Sequence, residues 1–494
     1  MNTVTTERIN RIISNLQPAT ALQGKFGGPA SLSERMTYHQ TAGVSIAVID
    51  NFKIDWAQGF GVRDVRSHST VSNGKSTNSR ITTETVFQAG SISKAIFALA
   101  VLRLVQNGQL DLDEDVNCYL TSWRIDPHMG WQPRISLRQL LSHTAGLTVH
   151  GFPGYQAGQN IPTLPQILNG ESPANTNKVQ VNILPGTQFR YSGGGTTVAQ
   201  QVVVDVVKKP FPQIMHELVF EPLCMTHTTF AQPLPKRWSK NVATGHLWNE
   251  IPVKGKYHTY PEMAAAGLWT TATDLAKVGV ELLKILQTQS STGLLSCELV
   301  ASMLVPQLKH QVLGEGEFVG LGFFCNGKDN NFCFGHSGQD QGFVADMQFY
   351  KALGKGAVIM TNFNEGGMLI REIRRAIANE YAWPSQVLAD KKPVSLENIP
   401  NYIGRYVTSA GLEFLVSTTK ECLSLVYEGQ PPLSIYPTSP VEFYTPALNV
   451  VVRFEFDEHA NANANANANA NANASALVIH QNGNLLKAYR AELN

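Results

Sequence analysis

Ser91 and Lys94 stand three residues apart at the head of an apolar run, FQAGSISKAIFALAVLRLVQ, from Phe87 to Gln106. In a helix that opens at Ser91, the two side chains lie one turn apart on the same face and can touch. A serine hydroxyl is a weak nucleophile and needs a base in contact with it; a lysine whose burial favours the free amine is such a base. The helix N-terminus adds backbone N–H groups that stabilise a developing oxyanion. Ala95–Leu102 is apolar throughout, so the helix is expected to be buried. A lysine at the buried end of such a helix is costly unless something nearby uses or balances its charge. Taken alone, the same residues also fit a plain N-cap serine beside an exposed lysine.

Two further stretches carry side chains suited to acyl chemistry. QFRYSGGG places Tyr191 shortly after Pro185-Gly186 and at the head of a glycine run that lets backbone or substrate come close. A phenol flanked by a lysine can relay a proton. FCFGHSGQDQGF places His336, Ser337 and Gly338 at the end of a strand, where a sheet edge can lie beside a substrate. The plainer alternatives are a core tyrosine with a satisfied hydroxyl and a strand histidine bonded to backbone.

In this order, Ser-x-x-Lys, Tyr-Ser and His-x-Gly, the chain resembles the serine β-lactamase and penicillin-binding-protein superfamily. The class A pattern is Ser-x-x-Lys, Ser-Asp-Asn and Lys-Thr-Gly; a tyrosine in second place is similar instead to the class C β-lactamases, DD-peptidases and related esterases and D-aminopeptidases. LLSHTAGL (Leu140–Leu147), PGTQFRYSGGG (Pro185–Gly195) and AAAGLWTTATDLA (Ala264–Ala276) also look like that family. The resemblance covers about Thr41 to Trp383. It implies that Ser91 attacks an acyl carbonyl and that Lys94 and Tyr191 share the proton transfers. The backbone N–H groups of Ser91 and Gln339 would form the oxyanion hole, and His336, Ser337 and Gly338 would contact substrate. No metal or organic cofactor is implied.

Two departures bear on substrate. Gly193 lacks the amide side chain with which β-lactamases hold an acylamino group, and His336 stands where many relatives carry lysine. An imidazole is a poorer anchor for the carboxylate of β-lactams and peptide C-termini. Both favour an esterase, or a peptidase that recognises an amine end or a neutral acyl group. The rivals are a β-lactamase or DD-carboxypeptidase, and a non-catalytic scaffold of the same fold. His143, inside LLSHTAGL, reads as structural, holding a loop by hydrogen bonds.

The elements that must position these residues follow from periodicity. Val44–Ile49 and Ile54–Gly59 joined by Asp50-Asn51 read as a hairpin. The helix from Ser91 stops at Asn107-Gly108. From about Asp111 to Gln289 the signals are helical with long Pro/Gly-rich loops, and Thr271 with Asp274 opens a helix to about Leu286. Strands return at Gly320–Cys325, Asn331–Phe334, Gly342–Tyr350 and Gly356–Asn362. Leu369, Ile370, Ile373 and Ile377 then mark a last helix before Trp383-Pro384. The expected fold is α/β: one antiparallel sheet built from both ends of the domain, flanked by helices, with a helical insert.

Residues 1–388 are assigned to this domain and 389–400 to a linker. Residues 401–494 alternate in short runs broken by Gly and Pro and read as a small all-β, barrel-like domain; it resembles the lipocalin-like barrel that follows some relatives. Within it, the Ala-Asn tract of 460–474 has nothing with which to form a core and reads as a flexible loop.

Composition narrows the partners. Of 494 residues, 43% are hydrophobic and 16% charged, with a net charge of +1 and no basic block, which argues against nucleic acid or an anionic membrane. No run of about 18 apolar residues occurs, and the N-terminus lacks a signal-peptide core, so the chain as written reads as cytoplasmic. The expected partner is a small-molecule or short-peptide substrate; an oligomer is left open. Cys118, Cys224, Cys297, Cys325, Cys333 and Cys422 form no CxxC pair and fit reduced thiols. Cys325 and Cys333, flanking NGKDNN, stand where a hairpin could bring them face to face. GHSGQ nearly matches a nucleophile elbow at Ser337, but its fifth residue is Gln339 and it opens no helix. His216-Glu217 lacks a second zinc-ligating histidine.

Overall fold

The structure, a computed structural model, describes residues 3–16, 30–68, 79–127, 130–289, 292–308, 313, 316–384, 399–418, 423–427, 432–437, 439–445, 450–456, 473–481 and 484–491. The hairpin forms as β1 (Gly43–Asp50) and β2 (Lys53–Gly61), which pair antiparallel. Asn51 and Phe52 both take positive φ, the twist a two-residue hairpin turn requires. Two short strands, β3 (Phe87–Gln88) and β4 (Trp269–Thr270), pair apart from the main sheet. Then come β5 (Phe318–Val319), β6 (Phe324–Asn326), β7 (Cys333–Asp340), β8 (Phe343–Tyr350) and β9 (Lys355–Thr361). The sheet runs in the order β2-β1-β9-β8-β7-β6-β5 and is antiparallel throughout, so strands from both ends of the unit meet at β1 and β9.

Helices cover both faces. In chain order they are α1 (Thr3–Ile13), α2 (Leu32–Tyr38), α3 (Ile92–Gln106), α4 (Leu137–Leu141), α5 (Leu164–Asn169) and α6 (Gly193–Val207). They continue as α7 (Phe211–Met215), α8 (Met263–Ala266), α9 (Ala272–Thr288), α10 (Cys297–Met303) and α11 (Gly367–Glu380). Val44, Ile46 and Val48 of β1 point to one core with α1 and α11, while Ala47 and Ile49 point to the other with α3 and α9. A strand buried on both faces needs no polar alternation, and a slip of one residue would exchange the two sets. α3 is buried from Ile92 to Leu102, as its all-round apolar sequence requires. It ends at Asn107, with Gly108 in the left-handed region. The Thr271 side chain accepts from the Asp274 N–H and caps α9. Among the described residues no helix is long and apolar enough to cross a membrane.

Two expectations about strands are corrected. Gly320–Cys325 is not one strand: β5 ends at Val319, β6 begins at Phe324, and the chain reverses between them. Gly322 has a positive φ, and a Cβ on Gly320 would lie 1.8 Å from the Met303 carbonyl oxygen, so close packing bends the chain there. β7 starts at Cys333 and runs on to Asp340, which puts His336–Gly338 inside the strand rather than at its end. The register also separates Cys325 from Cys333. Cys325 lies opposite Phe334 and faces the α3 core, while Cys333 lies opposite Asn326 and faces the α11 core. Both are free thiols, as are Cys118, Cys224 and Cys297; Cys422 lies outside the described residues.

By its contacts the chain divides into two compact units, the first ending at Pro384. The second holds a closed antiparallel barrel of eight strands. These are β10 (Gly404–Thr408), β11 (Glu413–Thr418), β12 (Leu423–Tyr427), β13 (Leu433–Pro437), β14 (Glu442–Thr445), β15 (Val450–Glu455), β16 (Ala476–Gln481) and β17 (Asn484–Arg490). Val450, Val452 and Phe454 point inward at every second position. Residues 460–472 of the Ala-Asn tract and 389–398 of the expected linker lie outside the described residues.

Candidate active site

The turn Ala89–Ser91 carries the chain from β3 into α3, held by the Ala89 N–H on the Leu268 carbonyl. Ser91 occupies the N-cap position, yet its side chain caps nothing. Ser93 performs the local bracing instead, donating its hydroxyl to the Gly90 carbonyl and accepting from the Leu268 N–H. The Ser91 Oγ is thus left to Lys94, whose Nζ stands 3.0 Å away and also donates to the Ala265 carbonyl at 2.7 Å. Lys94 is 4% exposed. The plain reading of a capping serine beside a solvated lysine does not hold.

Tyr191 comes to the same place. Lys94 Nζ lies 5.0 Å from its ring centroid. The next residue, Ser192, caps α6: its hydroxyl accepts from the Gly195 N–H at 2.8 Å and donates to the Thr148 carbonyl at 2.7 Å. His143 packs on the tyrosine ring at 4.3 Å and accepts the Ser192 N–H at Nδ1. His143 therefore holds the loop that carries Tyr191, the structural role its motif suggested.

β7 closes the site from the other side. It pairs with β6 only as far as Gly335, so from His336 onward that edge of the strand is free of a sheet partner. His336, Gly338 and Asp340 point inward, while Ser337 and Gln339 are exposed. A Cβ on Gly338 would lie 1.9 Å from the Ala89 carbonyl oxygen and 2.8 Å from the Ser91 nitrogen. Gly90 has a positive φ, and a Cβ there would lie 2.5 Å from the Gln339 nitrogen. Two residues without side chains thus let the Ala89–Ser91 turn lie directly against the Gly338–Gln339 backbone. His336 hydrogen-bonds the Ser337 carbonyl through Nδ1, and its buried Nε2 has no partner. Burial, with Lys94 as the nearby cation, lowers its pKa to about 3, so the ring is neutral at physiological pH.

A cavity of about 440 Å³ is lined by Ser91, Lys94, Tyr191, His336, Ser337, Gly338 and Gln339, and also by His150, Phe152, Phe324 and Asp340. Sequence reasoning brought the first seven together and missed the last four. His150 and Phe152 sit on a loop laid across the α6 N-terminus: a Cβ on Gly193 would meet the Phe152 ring at 3.0 Å and the His150 carbonyl at 3.1 Å. The place a larger second-motif side chain would take is filled by Phe152. The His150 ring lies 4.9 Å from Tyr191, and burial followed by Lys94 pushes its pKa down. A larger cavity, about 830 Å³, lies elsewhere against α2 and β2. Glu250 is the one ionisable residue among those that line it, so it offers no acid–base pair.

A serine–lysine contact at the head of a buried helix, packed against an antiparallel sheet, is the arrangement of the β-lactamase-like serine hydrolases. Residues 30–382 match the Beta-lactamase family, and the chain belongs to it. It is 28% identical over 235 residues to Protein flp of Staphylococcus aureus, a match covering 46% of this chain and 41% of that protein. It is 26% identical over 255 residues to the Unguisins hydrolase ungD' of Aspergillus campestris, covering 49% and 44%. The match thus spans less than half the length of these curated relatives. The octameric penicillin-binding protein homologue from Pyrococcus abyssi shares the fold at 19% identity, with 92% of this chain and 98% of that one covered and a TM-score of 0.58. The penicillin binding protein from Bacillus halodurans does so at 19% identity, 70% and 98% coverage and a TM-score of 0.53.

Proposed function

We propose that the chain is a serine acyl-hydrolase working through an acyl-enzyme on Ser91, with an ester or amide as substrate: an esterase, or a peptidase or amidase of the D-amino-acid type. The observation that carries this reading is the 3.0 Å contact between buried Lys94 and a serine hydroxyl that caps nothing. Ser91 Oγ bonds to the acyl carbon as its proton passes to Lys94 Nζ, and the carbonyl electron pair moves onto oxygen. That oxyanion faces the N–H groups of Ser91 and Gln339. When it collapses, the bond to the leaving oxygen or nitrogen breaks, and the leaving group takes a proton relayed through Tyr191. Water repeats the sequence to release the acid and restore Ser91.

The same cavity disfavours a β-lactamase or DD-carboxypeptidase. His336, neutral at physiological pH, offers a substrate carboxylate no charge, and Phe152 takes the space of an acylamino-binding side chain. The printed name of one relative, a hydrolase, agrees with hydrolysis. The deciding experiment is intact-mass labelling with a fluorophosphonate, on wild type beside Ser91→Ala. A single adduct on wild type and none on the variant is expected. No adduct on either would overturn the reading and bring forward the non-catalytic scaffold. A lasting penicillin adduct on Ser91, or penicillin turnover, would favour the β-lactamase-type rival.

A further inference from the structure

Phe324 stands where the second and third motifs meet. It opens β6 opposite Gly335, the last β7 residue that β6 pairs with, and so marks the start of the free edge of β7. Its ring stacks on Tyr191 at 6.3 Å and 27° and meets the His336 ring in a T-shaped contact at 5.1 Å. Phe189 backs it at 6.4 Å, again T-shaped. All three contacts have the geometry that aromatic pairs favour, so the ring is held in place. Yet Phe324 is half-buried, beside a buried Cys325, and it lines the cavity of Ser91 and Lys94. A large apolar side chain left partly uncovered forgoes burial that a bound apolar group would complete.

We propose that Phe324 is a specificity-determining residue, and that the substrates are esters or amides whose leaving group is aromatic or otherwise apolar and carries no carboxylate. This deepens the acyl-hydrolase reading and rests on it: Ser91 is the nucleophile and Tyr191 relays the proton. The leaving oxygen or nitrogen takes that proton beside Tyr191, so the group attached to it lies along the ring stacked on Tyr191, which is Phe324. Among the described residues that line the cavity, Lys94 is the one lysine and none is an arginine. Lys94 Nζ already serves the Ser91 hydroxyl and the Ala265 carbonyl. A carboxylate on the leaving group would lose water against ring faces that carry partial negative charge, with no further lysine or arginine to meet it. A planar apolar group completes the stack instead.

The test uses three acetate esters that differ in the group that departs: 4-nitrophenyl acetate, 3-carboxy-4-nitrophenyl acetate and vinyl acetate. In each, Ser91 Oγ bonds to the acetyl carbon, the bond to the leaving oxygen breaks, and that oxygen takes the proton relayed through Tyr191. Water then frees acetate from the same acetyl-enzyme, so kcat/KM reports the leaving group. It is measured on wild type, Phe324→Ala, Phe324→Lys and, as the blank, Ser91→Ala, beside the unfolding midpoint. Wild type is expected to favour the nitrophenyl ester over its carboxyl counterpart by about tenfold or more. Phe324→Ala is expected to lower the nitrophenyl-to-vinyl ratio of kcat/KM by about tenfold, a ratio that a merely structural role would not move. Phe324→Lys supplies a cation and is expected to bring the carboxyl ester level with the nitrophenyl one. Equal rates for the two aryl esters on wild type overturn the substrate class, as does fluorophosphonate labelling of Ser91 without turnover of either. An unchanged ratio in Phe324→Ala, or wild-type discrimination in Phe324→Lys, overturns the role of the ring. Should those variants lose cooperative unfolding, Phe324→Leu keeps the bulk without the aromatic face; about a threefold fall in the ratio is expected, and no change overturns the inference. A wild type that fluorophosphonate leaves unlabelled defeats the Ser91 reading itself.

Discussion

The buried polar residues described in the barrel are Thr408, Ser424 and Thr445, small hydroxyls around an aromatic interior in which Tyr402, Phe443 and Phe454 lie 5.0–5.2 Å apart. The first unit buries lysine, histidine, aspartate and glutamate, and it does so on two different terms. Asp274 receives the His227 N–H and the Thr228 hydroxyl and pairs with Lys277, and Glu372 is held by Arg35 and His39. Other polar groups are left unpartnered: both Glu262 oxygens ahead of α8, and His336 Nε2 and Asp340 Oδ2 on β7, are buried without a hydrogen-bond partner. Each such atom costs about 1–3 kcal/mol. Buried carboxyls of the first unit thus differ: Asp274 is held by several partners, while Glu262 and Asp340 keep oxygens without one.

That contrast can be broken at several points. The largest expected effect is at Lys94. Lys94→Met should slow Ser91 labelling by about a thousandfold or more, while thermal unfolding shows an unchanged or raised midpoint because a buried polar group is replaced by an apolar side chain of similar size. A strongly lowered midpoint would mean that Lys94 is there for stability after all.

Next comes the pH dependence of stability. Burial pushes the Glu262 carboxyl from its usual 4.5 up to about 8. The unfolded chain ionises this group from 4.5 upward, while the folded chain keeps the proton to about 8. Stability is therefore lost as pH rises through that window, and between pH 5 and pH 8 the loss is about 3 kcal/mol. Glu262→Gln should remove this share, so denaturant titrations should show the variant gaining on wild type as pH rises. Parallel pH profiles for the two would show that Glu262 is not held protonated. The barrel makes the third test: Phe443→Ala should destabilise that unit by about 3 kcal/mol or more and leave the Ser91 labelling rate within about twofold.

The parts of the site legible in the sequence were those whose placement is local. One helical turn fixes Ser91 against Lys94, a cap fixes Tyr191 before α6, and the hydroxyl of Thr271 two positions after Trp269 announces α9. What escaped was set by contacts far apart in the chain. Nothing around His150 or Phe152 says that a glycine pair forty residues later will draw their loop over the cavity. Asp340 and Glu262 are buried where segments about eighty residues apart in the chain meet, the Tyr260 hydroxyl accepting the Gln341 N–H. The strand expected over Gly320–Cys325 failed for the same reason, since its two glycines answer to Met303 and α3 rather than to strand propensity. For Cys325 and Cys333 the spacing allowed a facing pair, and only the register assigns them to opposite sides of the sheet.

The bare backbone contact between Gly338 and Ala89 also limits how this cavity could be re-tooled. A methyl group at position 338 would lie 1.9 Å from the Ala89 carbonyl oxygen, so that position admits no exploration of side chains, and Gly90 is equally closed. The cavity is open to change instead at Phe152, His150 and Phe324, which line it from segments other than the Ser91 turn. A library built on those three positions varies the pocket while leaving the contact between the serine turn and β7 untouched.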